Sequence, residues 1–307
     1  MFEPDIIGLG LATVDVVVSL ERMPTWGNPG MVSDFILGDG GPAGTACVVS
    51  ATLGVRTGFI DTVGNDEMAA KKLHSLEEAG VDVSHMVRRE TPEDHVILVY
   101  VREKTGERYF APLRRESLPK GVQPEELDRD YVTSARYLHL DGDHTEAALQ
   151  AARWMHEAGK MVVLDAATTN CPVPKPMQAL VAETDVLICG AGFSTMLTGH
   201  EDLWQAGQAI LDMGLSVVVQ TEGVKGSYSI SPNEQFHTPA FEVDVVDTTG
   251  AGDVFHGAYL VGLVRGWGLR TIATFASAVA AIHSTVLGNR RGIPCMEKVD
   301  AFLRERT

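Results

Sequence analysis

The 307-residue sequence predicts an α/β fold in which helices cover both faces of a mostly parallel central β-sheet, with a small second β-sheet attached. Short apolar runs of strand length recur along the chain, and amphipathic stretches of helical length lie between several of them. This alternation is typical of βαβ units and a parallel sheet. Two segments in the N-terminal third instead alternate apolar and polar residues with period two, which indicates antiparallel hairpins.

The predicted strands of the central sheet are DIIGLGL, RTGFIDTVG, ARYLHLDG, KMVVLDA, TDVLICG and LSVVVQT. The predicted helices include DEMAAKKLHSLEEAG, which a glycine ends, HTEAALQAARWMHEAG and EDLWQAGQAILDMG. The two hairpins span about 12–38 and 94–112 and form a small sheet that could cover a site or pair with another chain. Because no linker, repeat or low-complexity stretch interrupts the pattern, residues 1–307 are predicted to form a single domain.

Composition excludes several classes of function. The chain is 45% hydrophobic and carries a net charge of −16, which argues against nucleic acid and against an anionic membrane surface. No apolar run approaches the roughly 18 residues of a membrane span, and the N-terminus MFEPDIIGLG lacks the basic region of a signal peptide. The four cysteines are scattered without a C-x-x-C motif, so we expect a cytoplasmic protein with reduced thiols.

Candidate site residues follow the predicted strands, since ligands bind beyond the carboxyl ends of strands in an open parallel sheet. They are Asp15, the GDGGPAG segment at 38–44, Asp141 and Asp143, Asp165, the segment 221–226 and the segment 247–253. GDGGPAG is a weak dinucleotide fingerprint, because a hairpin precedes it. Either Pro42 begins a helix there, or Gly40 and Gly41 let a polar ligand approach the backbone.

The segment DTTGAGD at 247–253 is the sharpest of these signals. Gly250, Ala251 and Gly252 bring consecutive amides to a helix start, an arrangement suited to an anion. Asp253 points into the same space, where it could accept a proton from a hydroxyl while the amides stabilise charge on a transferred phosphoryl group. The alternative is a glycine-rich helix start that Thr249 or Asp253 merely caps.

Two further strand ends each allow two interpretations. TEGVKGSY at 221–228 is either a hairpin loop or a site for a nucleotide phosphate or ribose. HLDGDH at 139–144 has the residue types of a metal site but no second set of ligands at a convincing spacing, which favours a polar pocket wall. The sequence contains no P-loop, no G-x-S-x-G elbow and no H-E-x-x-H motif.

Taken in order, these motifs resemble those of the ribokinase-type carbohydrate kinases, the PfkB family, over essentially the whole chain. DTTGAGDVFHGA resembles the family's C-terminal signature, GDGGPAGTA its N-terminal glycine-pair region, and TEGVKG its nucleotide loop. The two hairpins match the family's lid. The resemblance implies a ribokinase-like three-layer fold with a β-sheet lid.

The resemblance also implies a role for each matching residue. Asp253 is implied to be the catalytic base, with Gly250, Ala251 and Gly252 as the anion hole. Asp15, Gly40 and Gly41 are implied to contact the sugar. The implied ATP site comprises Thr221, Gly223, Gly226, Ser277 and Ala281, and the implied monovalent-cation (K⁺) site comprises Asp247 and Thr249.

Within the family, GGPAGTA, PAFEVDVVDTTGAGDVFHGA and RRGIP are similar to sulfofructose kinase and its relatives, which implies a ketohexose or a derivative as the substrate. The chain departs from the family at three places. Thr45 stands where many members have Asn in the sugar site. Asp141 and Asp143 add negative charge, unfavourable for a sulfonate. Gly190 and Phe193 replace the Asn and Glu of a magnesium motif.

We therefore expect ATP- and Mg²⁺-dependent phosphorylation of a primary hydroxyl of a small-molecule sugar, by a homodimer formed through the lid. A nucleoside kinase of the same fold is the first alternative, because the lid carries Trp26, Tyr100, Tyr109 and Phe110, which could stack on a base. A sugar-binding relative without turnover is the second alternative. The altered magnesium motif supports it, and the intact DTTGAGD segment opposes it.

Overall fold

A computed structural model describes residues 3–104, 107–113 and 121–306. The strands are β1 Ile6–Leu9, β2 Thr13–Leu20, β3 Val32–Gly40, β4 Thr57–Ile60, β5 Thr62–Val63, β6 Val87–Arg88, β7 Val96–Arg102, β8 Arg108–Pro112, β9 Tyr137–Leu140, β10 Met161–Ala166, β11 Val186–Cys189, β12 Val217–Thr221, β13 Ser227–Ile230 and β14 Gln235–Thr238. The helices are α1 Pro42–Thr52, α2 Glu67–Glu78, α3 Arg129–Ser134, α4 Thr145–Glu157, α5 Lys175–Ala182, α6 Phe193–Thr198, α7 Leu203–Leu211, α8 Ala251–Val264, α9 Leu269–His283 and α10 Met296–Arg304.

The central sheet has eight strands in the order β14-β13-β12-β11-β10-β9-β1-β4. The pairs from β12 to β4 are parallel, and β13 and β14 join antiparallel at one edge. All six predicted strands are present, and the predicted α/β fold is confirmed. Since the parallel strands share one direction, their carboxyl ends meet at a single edge, where polar residues can converge.

Helices pack on both faces of this sheet and bury two separate apolar cores. One core joins the sheet to α4, α5, α6 and α7, and includes Leu140, Ala148 and Ile210. The other joins it to α8, α9 and α10, and includes Val163, Tyr259 and Val299. Because helices cover both faces of the sheet, its strands are apolar on both sides. The sheet and the helices on its two faces form the predicted three layers.

A second sheet of four strands, in the order β3-β2-β7-β8, lies apart from the central sheet and is called the lid sheet below. Both predicted hairpins are present as the antiparallel pairs β2–β3 and β7–β8, and β2 pairs parallel with β7. Residues 105 and 106, between β7 and β8 in the chain, lie outside the described residues. Within the described ranges, no helix combines the length and the apolar character needed to cross a membrane.

A buried charged cluster joins the lid sheet to the core and is called the hinge cluster below. The Lys72 Nζ lies 2.7 Å from Asp61 Oδ2 and 3.3 Å from Glu93 Oε1, with all three side chains at 1% exposure or less. His95, directly before lid strand β7, and His144, at the start of α4, also contact the Asp61 carboxylate. Asp61 in turn accepts a hydrogen bond from the amide of Ala12, directly before lid strand β2.

Candidate active site

Helix α8 begins at Ala251, so Asp253 lies in its first turn. Gly250 is the N-cap residue with φ 75°, and no side chain caps the helix. The alternative in which Thr249 or Asp253 serves as a cap is therefore wrong. The left-handed backbone of Gly250 disfavours any other residue, and a Cβ there would also collide with Asn289. The free amides at this helix start remain available for an anion.

The Asp253 carboxyl has the electrostatics of a general base. Burial raises its pKa to about 7, the Asp15 carboxylate also raises it, and the Arg290 guanidinium lowers it. A carboxyl with a pKa near neutral is partly ionised at physiological pH and can accept a proton from a hydroxyl. The Asp15 carboxylate, a predicted sugar contact, is thus one of the charges that act on the predicted base.

Arg290 is a functional residue to which the sequence analysis assigned no role, although it lies in the quoted RRGIP segment. Its guanidinium donates hydrogen bonds to the Gly40 carbonyl at 2.6 Å, the Ser75 hydroxyl at 3.1 Å and the Thr45 hydroxyl at 3.2 Å. It thus ties the end of lid strand β3 to helices α1 and α2. Because it is also the cation that acts on Asp253, it positions both halves of the site.

Asp15 and the glycine pair lie together where the lid sheet meets the core. Thr13 donates a hydrogen bond of 2.7 Å to the Asp15 carboxylate, and a Cβ on Gly40 would collide with that same carboxylate. Gly41 has φ 87° and directly precedes α1, where Pro42 is the first residue. Pro42 therefore starts a helix, as the first interpretation predicted, and Gly40 leaves room for the Asp15 carboxylate. The approach of a polar ligand to Gly40 and Gly41 stays a prediction.

Two candidate sugar contacts have partners within the protein. Thr45 is completely buried, and its hydroxyl accepts a hydrogen bond from Arg290. The Asp141 carboxylate accepts hydrogen bonds from the amides of Leu11, Ala43 and Asp143, which joins the loops after β1 and β9 to the start of α1. Their contact with a sugar stays a prediction. Asp143 is exposed beyond Asp141, so its carboxylate can face a ligand.

A cavity of about 820 Å³ lies beside the start of α8 and is called the strand-end cavity below. A pocket of this size is large enough for a nucleotide. The structure brings the residues of the predicted ATP site together in its wall, along with Ala251 and Gly252 of the predicted anion hole. The predicted residues lining it are Thr221, Gly223, Gly226, Ser277 and Ala281. The segment 221–228 is therefore both a hairpin connection, between β12 and β13, and a cavity wall.

The residues of the predicted monovalent-cation site are only partly paired within the chain. The Asp247 carboxylate accepts hydrogen bonds from the amides of Thr249 at 2.8 Å and Gly288 at 2.9 Å. Arg108 of lid strand β8 lies 2.8 Å from Asp247 Oδ1 and supplies a positive charge there. The Thr249 Oγ1 is buried and makes no hydrogen bond within the described part of the chain, so the monovalent-cation site stays a prediction.

The altered magnesium motif follows β11. Phe193 is 3% exposed and packs in the core with Leu187 and Ile210, so it faces no ligand. A side chain on Gly190 would collide with Thr168. Glu222 and Thr168 both line the strand-end cavity, and their side-chain oxygens are of the type that magnesium prefers.

Comparisons with known proteins agree with this geometry. The family model described as pfkB family carbohydrate kinase matches residues 5–295. The chain is 27% identical to 2-dehydro-3-deoxygluconokinase of Bacillus subtilis over 89% of this chain and 88% of that protein. It is 27% identical to aminoimidazole riboside kinase of Salmonella typhimurium over 96% of this chain and 93% of that protein. The crystal structure of a ribokinase from Thermotoga maritima superposes with a TM-score of 0.83 at 25% identity, covering 98% of this chain and 99% of that one.

Proposed function

Because the chain belongs to the pfkB family of carbohydrate kinases, we propose that it transfers the γ-phosphoryl group of ATP to a primary hydroxyl of a neutral sugar, a ketohexose or a related derivative. The observation that carries this proposal is the position of Asp253. It lies in the first turn of α8, directly after Gly252 of the strand-end cavity wall, and burial and the Asp15 carboxylate raise the pKa of its carboxyl. A phosphoryl donor and a hydroxyl acceptor can therefore meet at one base.

In the proposed reaction, the sugar hydroxyl oxygen attacks the γ-phosphorus while Asp253 accepts the hydroxyl proton. One oxygen–phosphorus bond forms as the bond between the γ-phosphorus and the β-phosphate oxygen breaks, and ADP leaves. The amides at the start of α8 face the transferred group, where the helix dipole also favours negative charge. Most of the catalysis is then positioning and electrostatic stabilisation, as expected for phosphoryl transfer. Arg290 holds Gly40 and Thr45, and thereby the sugar side, in place.

A sugar panel tests the proposed function. Steady ADP release is measured with neutral ketohexoses, with a sugar acid, and with phosphorylated and sulfonated sugars. We expect turnover with a neutral ketohexose and weaker use of anionic sugars, because Asp15 and the exposed Asp143 offer them no compensating charge. Asp143→Asn should narrow the difference in turnover between neutral and anionic sugars. Preferred use of an anionic sugar by the wild-type chain would overturn the substrate class.

The nucleoside-kinase alternative is supported by a specific feature of the lid sheet. Tyr100 and Tyr109 form a tilted ring pair with centroids 6.5 Å apart, and Phe110 beside them is exposed. Aromatic rings of this kind can stack on a nucleobase. The same ADP assay therefore includes nucleosides, and faster turnover with a nucleoside than with any sugar would favour this alternative. If no acceptor stimulates ADP release, the result would favour the second alternative, a sugar-binding relative without turnover.

Magnesium is proposed to enter with ATP, on whose phosphates it neutralises charge during transfer. Glu222 and Thr168 are the groups that would orient its waters. We expect Glu222→Gln to raise the free Mg²⁺ needed for half-maximal activity by about 10- to 100-fold, because outer-shell ligands have effects of that size. The matched control is Glu242→Gln, an exposed carboxylate on the rim of the same cavity, which should leave the magnesium dependence unchanged. Equal magnesium dependence in wild type and Glu222→Gln would refute the assignment.

We propose that two copies of the chain associate through the lid sheet. The lid sheet exposes apolar side chains that would be a liability in a monomer, among them Val32 at 55%, Phe35 at 58% and Phe110 at 52%. Light scattering at micromolar concentration should give the mass of a dimer, and Phe35→Ser should shift the protein toward the monomer. A wild-type monomer under these conditions would contradict the proposal.

A further inference from the structure

A second cluster of ligand-type side chains lies beneath Asp253, between α8 and the central sheet. It consists of His139 in β9, Asp165 in β10 and His256 in α8, and is called the His–Asp–His cluster below. The three can each offer one atom such that all three atoms lie within 4.8 Å of one another. His256 follows Asp253 on the same helix face, since residues three apart are neighbours on a helix surface.

The cluster is buried, yet its polar atoms are not satisfied. His139 is 0%, His256 3% and Asp165 7% exposed. Neither ring nitrogen of His139 makes a hydrogen bond of acceptable geometry, and nor does the Nδ1 of His256, although that atom lies 3.2 Å from Asp165 Oδ2. The Val163 backbone lies beside the His139 ring, outside hydrogen-bond geometry. Buried polar atoms without partners are rare in proteins and require an explanation, of which an ion is one.

The cluster has no basic partner within the described part of the chain. Among the described residues, no lysine or arginine forms an ion pair with Asp165. Its neighbours in the cluster are two buried imidazoles, so the three side chains offer two nitrogens and one carboxylate oxygen that lie within 4.8 Å of one another.

We propose that the His–Asp–His cluster binds a divalent transition metal of the zinc class. Two imidazole nitrogens and one carboxylate oxygen are a common protein ligand set for Zn²⁺, with metal–ligand distances of about 2.0–2.2 Å. At those distances, tetrahedral ligands lie about 3.3 Å apart. The His256–Asp165 separation of 3.2 Å already fits, and the nearest ligand atom of His139 lies within 4.8 Å of the other two.

This site differs from the proposed magnesium position in chemistry and in place. Magnesium prefers oxygen ligands and keeps several waters, whereas the His–Asp–His cluster supplies two nitrogens in a buried position. The metal site also stands independently of the proposed kinase reaction, because its test is metal content and not turnover. Its failure and the failure of the proposed function can therefore be told apart.

The test measures Zn²⁺ content. Wild type is unfolded in chelator, refolded with Zn²⁺, passed through a desalting column and analysed by atomic emission. We expect about one Zn²⁺ per chain in wild type, and at least about 100-fold weaker affinity in His256→Asn and in His139→Gln, since each removes one of three ligands. His156→Gln is the control, because His156 is a surface histidine beside Asp185 and Glu183, and it should keep the wild-type content.

Two outcomes would overturn the proposal. The first is wild type that refolds and contains no Zn²⁺ after desalting, a result that needs no variant to fold. The second is equal Zn²⁺ content in wild type, His256→Asn and His139→Gln, with loss only in His156→Gln, which would place the ion at the surface. Substitution with Co²⁺ adds a direct signature, because its visible absorption should change when either cluster histidine is replaced and should not change in His156→Gln.

Discussion

The Asp253→Asn variant is expected to lower sugar-dependent ADP release by about 10²-fold or more, because the amide cannot accept the hydroxyl proton. Asn keeps the shape of the side chain and most of its hydrogen-bonding capacity, so the fold and the strand-end cavity should persist. ATP affinity, measured by calorimetry, should therefore remain within a factor of a few of the wild-type value. Near-normal turnover in this variant would remove Asp253 from the mechanism.

Stability provides the control for the Asp253→Asn experiment. The pKa of Asp253 is raised in the fold, so the folded state binds this proton more tightly than the unfolded state does. The ionised carboxylate at pH 8 therefore costs folding free energy, and Asn removes that cost. We expect a melting temperature at pH 8 equal to or above wild type. As a second control, Asp244→Asn changes an exposed carboxylate outside the proposed machinery and should leave turnover unchanged.

The Lys72→Met variant is expected to lower the free energy of unfolding by about 3–5 kcal/mol. Its Nζ is the cation between Asp61 and Glu93, all three side chains are almost completely buried, and it also donates a hydrogen bond of 2.8 Å to the Thr62 carbonyl. Removing one partner leaves two buried carboxylates without a cation. Urea unfolding should show the loss as a lower midpoint, together with a loosened hinge between the lid sheet and the core.

Lys71→Met is the matched control, since Lys71 is the preceding residue on the same helix. Its Nζ pairs with Asp39 at 2.9 Å, but both side chains are partly exposed, so its loss should cost no more than about 1 kcal/mol. Equal unfolding free energies for the two variants would show that the hinge cluster does not stabilise the fold.

The pH dependence of stability gives a second test of the hinge cluster. Burial raises the pKa of Asp61, but its contacts with Lys72, His95 and His144 lower that pKa well below its ordinary value. The stability from Asp61 is therefore present above the unfolded pKa of about 3.9 and is lost as pH falls. Burial lowers the pKa values of His95 and His144, but the contacts with Asp61 raise both values above the ordinary one. The stability that these two histidines contribute is therefore lost as pH rises through their raised pKa values. We expect the cluster to stabilise most between about pH 4 and about pH 6.5.

The elements that the sequence predicted correctly are those that local patterns encode. The helix start at Ala251 follows from Gly-Ala-Gly, whose small residues leave the amides open, and the strands follow from apolar runs bounded by turns. The strand-end position of Thr221 and Gly226 follows from the rule that parallel strands end at one edge. These predictions need no knowledge of which distant segments meet.

The side chains that the sequence could not place depend on contacts between distant segments. Arg290 meets Gly40 across 250 positions of sequence, and Asp141 meets Leu11 across 130. No local period encodes such pairs, so the sequence could not show that Thr45 contacts Arg290 or that Asp141 accepts hydrogen bonds from Leu11 and Ala43. Likewise, His139 and His256 lie in different motifs, and only the packing of α8 on the sheet brings them together.

The pH dependence of sugar-dependent ADP release tests the central claim most directly. The measurement uses protein stripped of transition metals, with saturating Mg-ATP and sugar concentrations below and above KM, from about pH 5 to about pH 9. Because the base must be deprotonated and burial raises the pKa of Asp253 to about 7, kcat/KM should rise with pH and level off above that value. A profile that is flat across this range, or ADP release that no sugar stimulates at any pH, would contradict the account.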